Sequence, residues 1–244
     1  MKRSRDGAWR LTETGRLLRG SAVRALDAHK RPARTVGWNS TGELLATGSV
    51  DSTIRIWSVD KSGGGQELSV LQGHTDSADQ ICWDPTSASR LASVGSDKMV
   101  LFWDAKAKSA THKMAQKSNP LNMGWRPDGR YIAVSNKEDV VSIIDTRTYK
   151  ILQEHAFNNE INEMKWNTTG SHIFFTSGAD GGRAGLVEVA EMLPSGELKV
   201  AHRIAAHTAS GEGRALPRRR GFCARAAAAA FLIQRRIQSE ARSL

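Results

Sequence analysis

Gln72-Gly73-His74, Asp79-Gln80-Ile81-Cys82-Trp83, Leu91-Ala92-Ser93-Val94, Asp97 and Met99-Val100-Leu101-Phe102-Trp103 are the pieces of one stretch whose reading decides the architecture. Short apolar runs of strand length alternate there with Asp, Gly, Ser and Pro turns. The same pieces stand one repeat earlier. His29 lies nine residues before Trp38, as His74 lies nine before Trp83. Asp51 follows Trp38 by 13 and Asp97 follows Trp83 by 14. Thr47 and Ser93 stand four before their aspartates, and Trp57 and Trp103 six after.

Tryptophan marks the period over a longer span. Trp38, Trp83, Trp125 and Trp166 are 45, 42 and 41 residues apart. A turn follows each: Asn39-Ser40-Thr41-Gly42, Asp84-Pro85-Thr86-Ser87, Arg126-Pro127-Asp128-Gly129 and Asn167-Thr168-Thr169-Gly170. Asn, Asp, Pro and Gly at those offsets favour tight turns. No sustained helical period runs between residues 38 and 200. Four short strands in each unit of about 42 residues predict an all-β fold built of β-propeller blades.

The His, Ser/Thr, Asp and Trp of each unit resemble those of the WD-repeat family. That resemblance implies one hydrogen-bonded network per blade, because buried polar groups must be paired. The expected network residues are His29, Thr47, Asp51 and Trp57, then His74, Ser93, Asp97 and Trp103, with Thr176 and Asp180 in the fourth unit and His207 opening a further one. A hydrolase triad also uses His, Asp and Ser. A set written twice at repeat spacing reads as structure, since one active site would not recur. The later units are degenerate: Gln116, Glu138 and Ile144 stand at the His, Asp and Trp places of the third, while Phe157 takes the His place and Leu186 falls near the Trp place of the fourth.

Other chemistry is weakly signalled. No dinucleotide fingerprint, P-loop or zincin motif occurs, so no cofactor, metal or small-molecule substrate is implied. Gly63-Gly64-Gly65 reads as a loop tip, with no helix pattern after it. His202 and His207 are five apart, on opposite faces of a strand. Cys82 beside Trp83 reads as a small buried hydrophobe. Two cysteines, Cys82 and Cys223, build no disulfide framework and point to cytosol or nucleus. The sequons at Asn39 and Asn167 then read as turn chemistry. No apolar run reaches the ~20 residues of a membrane span, and Met1-Lys2-Arg3-Ser4-Arg5 leads into no signal-peptide core.

Charge is divided along the 244 residues. The net +10 comes from the two ends: residues 1–37 carry +7, residues 201–244 carry +7, and the body between them −4. Any RNA contact is therefore expected through the basic ends or through partners. Aromatic residues make up 6% and sit mostly at structural offsets, which leaves few stacking platforms in the body.

A closer resemblance rests on Leu17-Leu18-Arg19-Gly20, Gln72-Gly73-His74, Trp125-Arg126-Pro127-Asp128-Gly129, Asn162-Glu163, and above all Ser135-Asn136-Lys137-Glu138-Asp139-Val140-Val141 with Ile144-Asp145. These resemble the WD-repeat subunits of the THO complex, over roughly residues 16–208. The resemblance implies a nuclear, non-catalytic scaffold that joins other THO subunits, the export helicase and its adaptor, and couples transcription to messenger-RNA packaging and export. An adaptor of another nuclear complex, a ubiquitin-ligase substrate receptor or a chromatin adaptor, is the alternative. It also implies a full ring of about seven blades, of which about four are expected here. The domain reading is a basic tail over 1–15, blades over 16–208, and a basic Ala/Arg-rich segment over 209–244 that is non-native to the fold or an isoform's own, with a helix over 222–240. An open arc is expected to bare two blade faces and so to self-associate.

Overall fold

The computed structural model describes residues 2–3, 9–10, 25–59, 65–158, 160–177 and 185–207. The segments 209–244 and 222–240, with the expected helix, lie outside the described residues, as does Asp180. A two-residue antiparallel pair joins β1 (Lys2–Arg3) to β2 (Trp9–Arg10). Four four-stranded antiparallel sheets follow, each in simple meander order. Blade 1 is β3 (Ala33–Trp38), β4 (Leu44–Ser49), β5 (Thr53–Val59) and β6 (Gly65–Gln72). Blade 2 is β7 (Ala78–Trp83), β8 (Arg90–Gly95), β9 (Met99–Asp104) and β10 (Ser109–Ala115). Blade 3 is β11 (Pro120–Trp125), β12 (Tyr131–Asn136), β13 (Val140–Asp145) and β14 (Lys150–Ala156). Blade 4 is β15 (Ile161–Trp166), β16 (His172–Ser177), β17 (Gly185–Met192) and β18 (Leu198–His207).

The blades stack face to face, and this explains the unbroken apolar runs. In blade 2, Leu91, Leu101 and Trp103 enter the cluster shared with blade 1, beside Ile54, Ile56 and Leu71. Their neighbours Ala92, Val94, Val100 and Phe102 point the other way, to Trp125, Ile132 and Ile144 of blade 3. A third cluster joins Ala133, Val141 and Ile143 of blade 3 to Met164, Ile173 and Phe175 of blade 4. A strand buried on both faces reads as a continuous apolar run rather than an alternation.

Turns close the meanders where the sequence supplies the conformation. Gly42, Gly129 and Gly170 hold φ near +72° at the same place in the first turn of blades 1, 3 and 4, where glycine carries no Cβ penalty. Ser52, Lys98 and Asp139 hold φ of 64°, 62° and 58° in the middle turn of blades 1, 2 and 3. That places Asp51, Asp97 and Glu138 at equivalent positions.

Inner strands are tied across blades by side chains three residues before each tryptophan. Thr35 Oγ1 accepts from Ile81 N at 3.3 Å, Gln80 Oε1 accepts from Met123 N, and Asn122 Nδ2 donates to Asn162 O at 3.1 Å. The tryptophans add a second tie. Trp83 Nε1 donates to Gly37 O at 2.9 Å and Trp166 Nε1 to Gly124 O at 3.0 Å. Between blades 2 and 3, Cys82 stands in the glycine's place and packs on the apolar cluster that includes Trp125. Trp125 Nε1 donates instead to Gly129 O in its own hairpin, at 3.0 Å.

The end faces differ from the expectation of two bare surfaces. On the far side of blade 4, Phe174, Val187 and Val189 are buried, with Ile204 packed against them. On the outward side of blade 1 the outer part is covered, with Trp57 buried, while Val36 and Trp38 are 65% and 50% exposed.

Candidate functional site: hydrogen-bond networks inside the blades

In blade 2 the middle strands and the turn before β7 bring four side chains together. Trp103 Nε1 lies 2.8 Å from Ser93 Oγ, Ser93 Oγ 2.7 Å from His74 Nε2, and His74 Nδ1 2.9 Å from Asp97 Oδ2. Donor chemistry orders this chain. An indole N–H only donates, so Ser93 Oγ accepts it, and a carboxylate only accepts, so His74 Nδ1 carries the proton directed at Asp97. Burial favours the neutral imidazole, whose free Nε2 lone pair then accepts the Ser93 hydroxyl proton. Asp97 also accepts from Thr75 N and Met99 N, at 2.9 and 3.1 Å, and so fixes the turns on both sides.

Blade 1 repeats the arrangement. Trp57 Nε1 is 2.9 Å from Thr47 Oγ1, which is 2.8 Å from His29 Nε2, and His29 Nδ1 is 3.0 Å from Asp51 Oδ2. Asp51 further accepts from Lys30 N, Thr53 N and the Thr53 hydroxyl. Burial pushes its carboxyl up. The bonds from the Thr53 hydroxyl, Lys30 N, Thr53 N and His29 outweigh that and hold it well below the usual carboxylate range.

In blade 3, Val134 and Ile144 fill the hydroxyl and indole places within an apolar cluster. Gln116 stands at the His place, and its buried Nε2 has no hydrogen-bond partner among the described residues. In blade 4 the register corrects the sequence reading. Trp38 pairs through Leu45 and Trp83 through Leu91, and two residues beyond these stand Thr47 and Ser93. Trp166 pairs with Ile173, so Phe175 holds the hydroxyl's place and Thr176 lies on the opposite face. Ala190, paired with Ile173, holds the indole's place, and Leu186 lies further along β17 against Ala205. Thr176 stands four residues before Asp180, as Thr47 and Ser93 do before their aspartates, but the segment between β16 and β17 is longer than its counterparts in the other blades, so that offset does not carry over. Counting nine forward from the tryptophan finds Thr47, Val134 and Phe175 alike. Phe157, at the His place, meets Phe175 with ring centroids 4.6 Å apart, so an apolar pair stands where blades 1 and 2 have a histidine–hydroxyl bond. His207 ends β18, with its side chain outside the described residues.

The network of blade 2 is closed to solvent among the described residues, and that of blade 1 is part-buried. The His74 side chain is fully buried and that of Asp97 nearly so. The cavity lined by Phe102, Trp103, Thr111, Trp125 and Tyr149 has a volume of about 10 Å³, room for roughly one water. Burial pushes the Cys82 thiol up, away from a reactive thiolate. Among the described residues no group of three or more His, Cys, Asp or Glu side chains could hold a metal, and no helix is long and apolar enough to cross a membrane.

Two consequences are measurable. Burial lowers the His74 pKa from its ordinary 6.5, opposed by the hydrogen bond and charge of Asp97. Between pH 6.5 and the lower native value, unfolded chains take up a proton that native chains refuse. Stability is thus complete above pH 6.5 and is expected to fall as the pH drops below it. Asp51 adds a later loss as the pH falls below its ordinary 3.8. Urea midpoints measured from pH 7.5 to 5 read the first effect. Next, a Cβ on Gly95 would lie 2.7 Å from both His74 Nδ1 and Ser77 O and 2.9 Å from Asp97 Oδ1. Gly95→Ala is expected to cost about 1–3 kcal/mol by overpacking. Gly37→Ala, whose Cβ would meet Trp83 at an ordinary 3.6 Å, is expected to cost less in the same urea titration.

A repeated four-stranded meander with these networks defines a class, and the chain belongs to it: this is a WD-repeat protein. The "WD domain, G-beta repeat" model matches residues 20–58 and 65–104, and the "Anaphase-promoting complex subunit 4 WD40 domain" model matches residues 117–169. The crystal structure of the WD40 domain from Toxoplasma gondii coronin superposes with a TM-score of 0.65 at 18% identity, over 73% of this chain and 48% of that one, which speaks to the fold. More particularly, the chain is similar to THO complex subunit 3 of Arabidopsis thaliana, 40% identical over 187 residues, covering 76% of this chain and 57% of the relative. It is also similar to WD repeat-containing protein AAC3 of Dictyostelium discoideum, 28% identical over 75% of this chain and 41% of that protein. The chain thus spans about half the length of these relatives.

Proposed function

We propose that this chain is a non-catalytic scaffold subunit of a nuclear THO complex, where it helps couple transcription to messenger-RNA packaging and export. The observation that carries the reading is the 40% identity to THO complex subunit 3 over 76% of the chain. The physical role is presentation. Blades locked by the His–Asp networks and cross-blade ties hold their connecting turns in fixed relation, which suits a subunit bound by several partners at once. The partners proposed are the other THO subunits, the export helicase and its adaptor, with RNA reached through them or through the basic ends.

A second reading, an adaptor of a different nuclear complex, draws support from the match of residues 117–169 to a WD40 model named for an anaphase-promoting complex subunit. Affinity purification of the N-terminally tagged protein from nuclear extract, read by mass spectrometry, separates the two. Recovery of THO subunits with the helicase is the expected result. Recovery of a different complex without them transfers the function to the second reading.

A further inference from the structure

We propose that the turns at one end of blades 2 and 3 form a basic docking surface for an acidic peptide segment of a partner protein. In a meander, the turn joining the first and second strands lies at the same end as the turn joining the third and fourth. Contacts between blades agree with a shared end. Asn39 Nδ2 donates to Ala88 O across the first turns of blades 1 and 2, and Arg126 Nε to Gly170 O across those of blades 3 and 4.

Within these turns charge separates by function. The acids fold inward to cap backbone donors. Asp104 Oδ1 accepts from Lys106 N and Ala107 N, and Asp145 Oδ1 from Arg147 N and Thr148 N. Asp84 is fully buried, accepting from Thr86 N and pairing with Arg90. The cations of the same turns remain outside: Arg90, Lys106, Lys108, Arg130, Arg147 and Lys150 are all exposed. Asp128 is the exposed acid of these four turns, and it is paired with Arg126. Lys106, Lys108, Arg147 and Lys150 make no ion pair among the described residues. At the opposite end of the same blades the exposed charges balance, with Lys98, Lys117 and Lys137 against Asp76, Glu138 and Glu160.

The balance of ligand chemistry favours carboxylates on a peptide over a nucleic acid. Single-stranded nucleic acid is held by stacking as well as charge. The rings at this end are occupied: Tyr149 stacks on His112 at 4.1 Å and meets Phe102 edge-on, and Tyr131 is buried beneath Arg126 and Arg130. Lysines and arginines at fixed turn positions, without free aromatic faces, suit spaced Asp and Glu side chains. This surface does not depend on which complex the chain joins.

The test uses the full chain and fluorescence anisotropy with a labelled peptide of about a dozen glutamates in about 50 mM salt, where surface charge is weakly screened. The quadruple variant K106E/K108E/R147E/K150E is compared with K98E/K137E at the opposite end. All are exposed positions, and circular dichroism verifies folding. The basic chain ends contribute equally to every variant. The expected result is a Kd at least ~10-fold weaker for the quadruple variant, with K98E/K137E shifting it much less. Equal weakening by both variants, or by neither, overturns the proposal. So does tighter binding of a uridine oligonucleotide of equal charge, lost in the same quadruple variant, which would assign this end to nucleic acid.

Discussion

Trp103→Ala is expected to lower the unfolding free energy by about 3–5 kcal/mol, the range for truncating a large buried aromatic side chain. Trp103 is 1% exposed and sits in the cluster between blades 1 and 2. It is packed tightly enough that a Cβ on Gly73 would come within 2.8 Å of its ring. The deletion therefore leaves a cavity that neighbouring strands, hydrogen-bonded on both sides, can scarcely collapse into. It also strips Ser93 of its indole donor. Trp103→Phe separates the two effects, keeping most of the apolar contact while removing the N–H, and is expected to cost about 1–2 kcal/mol more than the lost contact alone because Ser93 is fully buried. Trp38→Ala is the contrast. Trp38 carries the repeat's period in the sequence, yet it is half exposed, and its loss is expected within about 1 kcal/mol. Urea titration followed by circular dichroism, which does not depend on the tryptophans removed, ranks the three variants. Equal losses for Trp103→Ala and Trp38→Ala would place the stabilising contact elsewhere.

That contrast marks what the sequence could and could not disclose. The blade period, the strand positions and the paired sets around His29 and His74 were legible because turn chemistry and a four-residue polar pattern recur at fixed offsets. Which tryptophan is buried was not, because Trp38 and Trp83 share an offset and differ in whether a described blade lies against them. The fourth unit was less legible because the segment between β16 and β17 is longer than in the other blades, so the offset from Asp180 does not hold, while the strand register is set from the tryptophan side, through Trp166 and Ile173. The basic end of blades 2 and 3 was hidden differently. The body's balance of −4 adds acids that cap their own turns to cations that face solvent, and only the hydrogen bonds of Asp104 and Asp145 tell the two apart.

Asp97→Ala is expected to cost about 3–5 kcal/mol, more than any single hydrogen bond, because one carboxylate closes three links. It accepts from His74 Nδ1, Thr75 N and Met99 N. Without it, a fully buried imidazole keeps a donor with no acceptor, and the turns before β7 and β9 lose a common anchor. The effect should propagate in one direction. Ser93 still gives its proton to His74 Nε2 and still receives Trp103 Nε1, so the apolar cluster stays packed while the turns loosen. Hydrogen exchange at Thr75 and Met99 should then rise well before exchange in β8 and in the middle of β9. Asp97→Asn, which keeps one oxygen acceptor, is expected to lose less. Glu138→Ala, at the equivalent place in blade 3, is expected to change stability by no more than about 0.5 kcal/mol, because Glu138 is exposed and Val134 and Ile144 leave it no network to close. A double-mutant cycle between Asp97→Ala and His74→Ala measures the coupling directly. A coupling near zero would mean that Asp97 acts through the backbone amides alone, and that the imidazole fills space rather than linking the strands.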